Sequence, residues 1–115
     1  MITLKTLPQA TAKQVFDQVS EHLLSQGMKS KDKETGFCVY RSNDISCAAG
    51  CLISDEEYDP SMEGNDWVDL VDNGIAPKEH HCLIFDLQGI HDNFDVEDWP
   101  KQLAELKTEL GLDKD

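Results

Sequence analysis

Three of the four cysteines and the longest run of small and apolar residues lie in one stretch, FCVYRSNDISCAAGCLISDEEY, from Phe37 to Tyr58. At its centre Cys47, Ala48, Ala49, Gly50 and Cys51 have too little side-chain volume to fill a core alone. Residues this small constrain a fold in another way, because they let a second element approach the backbone closely. Upstream, Phe37-Cys38-Val39-Tyr40 reads as a short strand, since aromatic and β-branched side chains suit a half-buried pleated surface. Ser42-Asn43-Asp44 then supplies turn chemistry. By period alone, Ile45 to Ile53 fits either a returning strand or a short buried helix starting near Ser46. Ala48-Ala49 favours the helix, and Gly50 weakens it by about 1 kcal/mol relative to Ala. The expectation is a hairpin near residues 37–47, then a tight helical turn through Leu52.

Around this stretch the hydrophobic spacing is mostly helical. Thr11 and Gln14 match a capping box, and Val15, Phe16, Val19, Leu23 and Leu24 form an apolar stripe that Gly27 closes, predicting a helix over 11–26. Ahead of it, Ile2–Leu4 suggests an edge strand ended by Pro8, and residues 28–36 read as a polar loop. Ser54-Asp55-Glu56-Glu57 has the form of a helix start that Pro60 stops quickly. A short helix over 66–73 would bury Trp67, Leu70 and Val71 and end at Asn73-Gly74. Pro77 suits a first helical turn, and Leu83, Ile84, Leu87, Ile90, His91 and Phe94 continue a helix over 78–93. Asp95 is placed to cap a last helix over 99–110, whose face is Trp99, Leu103, Leu106 and Leu110. The predicted fold is α+β and predominantly helical, with about four helices and one small β-hairpin. At 115 residues it is expected to be a single acidic globular domain, residues 1–115.

Charge separates this chain from an ordinary domain of its size. The net charge is −13, and it is concentrated: residues 43–99 carry one Lys, Lys78, against fifteen Asp or Glu. Asp55, Glu56, Glu57, Asp59, Glu63, Asp66, Asp69 and Asp72 form one cluster, and Asp92, Asp95, Glu97 and Asp98 a second beside Trp99. The block holds Trp67, Phe94 and Trp99, so it is expected to fold rather than form an acidic tail. Direct nucleic-acid binding is disfavoured, since phosphates would be repelled. Met1–Lys5 lacks the apolar run of a secretory signal, and no stretch approaches the ~20 apolar residues that span a bilayer, so a cytoplasmic location without membrane attachment is expected.

Two chemistries compete for the remaining residues. Cys47 and Cys51, four apart, with His80, His81 and Cys82, offer enough ligands for zinc, yet lack the close Cys-x-x-Cys spacing that makes a zinc motif specific. Against this, Cys38, Cys47, Cys51 and Cys82 read as small buried apolar residues. A nucleophilic Cys47 or Cys51 paired with His80, His81 or His91 is opposed by the acidic surroundings, which raise a thiol pKa. His91 lies on the apolar side of its helix as a core histidine, while His22 is expected to face solvent. Asp55-x-Glu57-x-Asp59 begins like a calcium loop, but Pro60 stands where that loop needs Gly. No Gly-rich phosphate loop is present, and no cofactor is expected.

With these residues laid out, the chain resembles a group of small, uncharacterised bacterial and phage proteins. The resemblance rests on Tyr40-Arg41, on Cys47-Ala48-Ala49-Gly50-Cys51-Leu52-Ile53, on Asp55-Glu56-x-Tyr58, on Leu87-Gln88-x-x-His91-Asp92 and on Trp99. It spans most of the chain from Thr11 onward and implies a bacterial or phage cytoplasmic origin. Cys51 and His91 recur in that pattern, which implies some weight for a thiol or metal role. The expected function is a small acidic, non-catalytic protein-interaction module binding a basic protein, such as one that itself binds nucleic acid, with the chain acting as a phage or prophage-type inhibitor or nucleic-acid mimic. The rival expectation is a thiol or zinc-binding protein using Cys47, Cys51 and the His80-His81-Cys82 cluster.

Overall fold

The computed structural model describes residues 1–32, 34–36, 38–42 and 45–112. Four α-helices are present among them: α1 (Ala12–Gln26), α2 (Trp67–Asp72), α3 (His81–Asn93) and α4 (Trp99–Glu109). One antiparallel hairpin joins β1 (Arg41–Ser42) to β2 (Ile45–Ser46), with Arg41 opposite Ser46 and Ser42 opposite Ile45. The fold is therefore α+β and predominantly helical. Helices α1, α3 and α4 pack on one another, α2 packs on α3, and their buried faces form one contiguous apolar cluster that includes Leu7, Leu52 and Leu70. No helix among the described residues is long and apolar enough to cross a membrane.

Helix α1 starts as its sequence requires. Thr11 Oγ1 accepts from the Gln14 amide at 3.1 Å, Gln14 Oε1 accepts from the Thr11 amide at 2.9 Å, and Gly27 ends the helix at φ 66°. Val15, Phe16, Val19 and Leu23 are buried, whereas Leu24 falls off the stripe and is exposed. Helix α2 is built by acids: Asp66 Oδ1 accepts from the Asp69 amide at 3.0 Å and Asp69 Oδ2 returns the contact to the Asp66 amide at 3.3 Å.

Several local expectations give way to tertiary contacts. The Ile2–Leu4 strand is absent; the segment turns at Thr3–Thr6 into a 3₁₀ turn, Leu7–Gln9. Side chains take the place of a strand partner there. Gln18 of α1 holds both the amide and the carbonyl of Ile2, and Glu57 accepts from the amides of Leu4 and Lys5. Ser54 and Glu57 cap each other reciprocally at the predicted helix start, but only a turn follows, and Asp59 then caps the single turn Pro60–Met62. Helix α3 begins at His81 rather than residue 78. His80 sits in the left-handed region at φ 66° with Nε2 bonded to the Ala10 carbonyl at 2.7 Å, so Pro77 lies ahead of the helix. Asp95 makes no side-chain cap, and a 3₁₀ turn, Val96–Asp98, leads into α4 instead. Trp99, Leu103 and Leu106 are buried in α4, while Leu110 and Phe94 are exposed.

The hairpin is shorter than the predicted 37–47. Cys38 makes an isolated bridge to Lys31, the Val39 amide donates to Ser30 O at 3.0 Å, and regular pairing begins only at Arg41. Phe37, Asn43 and Asp44, the ends of the predicted strand and turn, lie outside the described residues. The carboxylate of Glu63 binds the amides of Tyr40 (2.9 Å) and Arg41 (3.1 Å), so the Tyr40 amide is not available to extend the pairing toward residue 37. The predicted helical turn is present as a 3₁₀ turn, Gly50–Leu52. Its small residues permit the expected approach: a Cβ at Gly50 would lie 2.1 Å from the Tyr40 carbonyl oxygen.

Candidate functional site

Where the hairpin approach, the Cys47–Ala49 turn, the 63–67 segment and the outer face of α3 meet, they enclose a cavity of about 400 Å³. Tyr40, Cys47, Ala49 and Trp67 are buried residues in its wall, and Phe85, 60% exposed, stands at its rim. Burial pushes the Tyr40 hydroxyl pKa up, and that hydroxyl donates to the Asn65 carbonyl at 2.7 Å. Trp67 is 3% exposed, yet its indole N–H has no acceptor among the described residues. Glu63, Asp66 and Asp92 add three carboxylates to the lining, and no Lys or Arg is among the described lining residues.

One wall is tied into the core by a directed chain of hydrogen bonds. The Ser30 amide donates to His91 Nε2 at 3.0 Å, which leaves the ring proton on Nδ1, and Nδ1 donates to Asp92 Oδ1 at 2.7 Å. Gln88 Nε2 donates to the same oxygen at 2.8 Å while its Oε1 accepts from the Ala49 amide at 2.9 Å. His91 is fully buried and stacks on Trp99 with ring centroids 5.5 Å apart, as its place on the apolar face predicts. Burial alone would raise the Asp92 carboxyl pKa, but hydrogen bonds from His91 and Cys38 outweigh it and hold the group below the usual range. Cys38, His91 and Asp92 bring donor atoms within 4.8 Å of one another. Both nitrogens of His91 are already committed, so the ring has no lone pair for a metal. The Cys38 thiol pKa is pushed up by burial and by Asp92, against the effect of Lys31 and Lys29.

The predicted metal residues are not gathered into a group of this kind among the described residues. Cys47 Sγ accepts from the Gly50 amide at 3.3 Å, Cys51 Sγ donates to Ala48 O at 3.1 Å, and His80 is bound to Ala10. His81 and Cys82 touch each other at 3.4 Å on the surface. Burial raises the Cys47 thiol pKa and carries that of Cys51 up to about 12. Cys38 and Cys82 are exposed, contrary to the expectation that all four thiols are buried, because Cys38 lies on an irregular edge and Cys82 on the outer face of α3. His22 does not face solvent either; its Nε2 contacts Ser46 O at 2.9 Å and Ser46 Oγ at 3.1 Å.

The predicted acidic residues divide by use. Glu57, Glu63, Asp59, Asp66 and Asp69 hold backbone amides, and Glu63 also accepts from the Tyr58 hydroxyl at 2.7 Å. Glu56, Asp72, Asp95, Glu97 and Asp98 are exposed, and the last three lie with carboxylates within 4.8 Å of one another. Asp55 pairs with Arg41, whose guanidinium also covers the Tyr58 ring at 4.9 Å. That is the one ion pair to a Lys or Arg among the described residues. Sequence reasoning missed the cavity: Tyr40, Trp67, Phe85 and Gln88 come from separate segments and carry no shared linear spacing. Comparison with protein-family models, with curated proteins and with solved structures found no match to this chain.

Proposed function

We propose that this chain is a small acidic, non-catalytic protein-interaction module that docks a basic partner, in the manner of an inhibitor occupying a nucleic-acid-binding surface. The observation that carries the reading is the uncompensated surface: a chain of net charge −13 has a single ion pair between a carboxylate and a Lys or Arg among its described residues. Carboxylates left without internal partners keep their field available for steering a complementary surface, and a large like-signed patch raises association rates with it. The thiols support a non-catalytic reading, since the two least exposed are held neutral by burial.

The test is capture of partners from bacterial lysate on immobilised protein, with elution by salt. The retained proteins should be basic, should leave between about 0.05 M and about 0.5 M salt as screening sets in, and should be displaced by DNA. A variant neutralised at Glu56, Asp72, Glu97 and Asp98, none of which holds a backbone amide in the hydrogen bonds above, should lose them. Partners indifferent to salt and to neutralisation would refute the reading. Metal analysis separates it from the zinc alternative at Cys47, Cys51, His80, His81 and Cys82: one bound equivalent of zinc overturns it.

A further inference from the structure

We propose that the cavity beside α3 is the receptor for an arginine side chain of the basic partner. The inference rests on the reading above that the partner is basic, and adds where its key side chain enters and which residue type it is. Two properties of the wall converge on this ligand. Glu63, Asp66 and Asp92 supply negative charge with no Lys or Arg among the described residues lining the cavity. Tyr40, Trp67 and Phe85 supply aromatic surface, and Phe85 offers its ring to the entrance at 60% exposure. Trp67 lines the cavity with its ring, while its indole N–H has almost no accessible surface and lies behind that wall.

Carboxylates beside aromatic faces favour a cation, and a guanidinium more than an ammonium. Arginine is planar, weakly hydrated and carries five donors, so it stacks on a ring while its edge meets carboxylates. A volume of about 400 Å³ holds one such side chain with the flanking backbone.

The experiment is a titration at low salt with the capped pentapeptide Gly-Arg-Gly-Arg-Gly and its lysine and citrulline counterparts, followed by calorimetry and by amide and indole NMR. The arginine peptide should move the Trp67 indole resonance and leave that of Trp99, buried against His91, in place. It should bind about fivefold more tightly than the lysine peptide, and the uncharged citrulline peptide should not bind. Phe85→Ala, at an exposed position, and Asp66→Asn, which keeps a good helix cap while removing its charge, should each weaken binding about tenfold. Glu105→Gln, exposed on α4 and outside both the cavity and the acidic clusters, should cost less than about twofold. Equal losses from Asp66→Asn and Glu105→Gln without a Trp67 shift would refute the cavity as receptor and leave the acidic-module reading standing. Lysine or citrulline peptides binding as well as arginine would refute the choice of ligand. Failure of every cationic peptide, together with failure to capture any basic protein, would remove both readings.

Discussion

Gly50→Ala tests the central packing claim, that the small-residue turn exists to let the Tyr40 backbone pass. An added Cβ would stand 2.1 Å from Tyr40 O, 3.0 Å from Tyr40 C and 3.2 Å from Ser46 Cβ. Relief needs a displacement of about 1 Å or more to approach ordinary contact. The obstacle is backbone, and it is anchored. Tyr40 O accepts from the Cys47 amide at 3.2 Å, and the Tyr40 amide is held by Glu63. Overpacking costs about 1–3 kcal/mol and the displaced hydrogen bond about 1 kcal/mol, against a gain of about 0.5–1 kcal/mol from a stiffer unfolded chain. The net loss is about 1–3.5 kcal/mol, centred near 2, a large share of the ~5–15 kcal/mol available to a domain. With a urea slope of about 1.5 kcal/mol/M, the unfolding midpoint should fall by about 1.5 M. The control is Gly89→Ala in α3, where the nearest atom to the new Cβ is Asn93 Nδ2 at 3.8 Å. There Ala should raise stability by about 0.5–1 kcal/mol. A Gly50→Ala midpoint equal to or above the parent would refute the argument.

Acid titration should expose the anchoring role of Glu57. Burial works against its ionisation, but the amides of Ser54, Leu4 and Lys5 outweigh this and lower its pKa. Because the folded pKa lies below the unfolded one, its contribution is complete above about pH 4.3 and is lost as pH falls through the folded value. Glu57→Gln should therefore flatten the acid limb of a melting-temperature profile, and an unchanged limb would count against the assignment. Thiol titration of the native protein should show the exposed Cys38 and Cys82 reacting promptly, with burial and Asp92 slowing Cys38, and with Cys47 and Cys51 waiting on unfolding. Four equal rates would show that the buried pair is mispositioned.

What could be read from the linear chain was whatever local chemistry decides. The Thr11 capping box, the apolar stripe of α1 and the compact turn after the hairpin follow from neighbours a few residues apart. The departures have long-range causes. Gln18 replaces a strand partner for Ile2 across sixteen residues, and Glu57 reaches Leu4 across fifty-three. The start of α3 is set by His80 binding Ala10, seventy residues away, which no periodicity around Pro77 encodes. The acid block was visible as charge, but its division into amide-holding and outward carboxylates was not. The cavity, assembled from pieces that meet only on folding, left no signal at all.

That division of the carboxylates limits how freely the surface of this protein can be repainted. Positions such as Glu56 and Glu97 can take a neutral or basic side chain without disturbing what lies beneath. Glu63 cannot, since three donors from Tyr40, Arg41 and Tyr58 converge on it and a lysine there would bring only further donors. A random charge-reversal library should thus fall into two populations, one that changes its company and one that never reaches the soluble fraction. The boundary between them traces which acids are architecture.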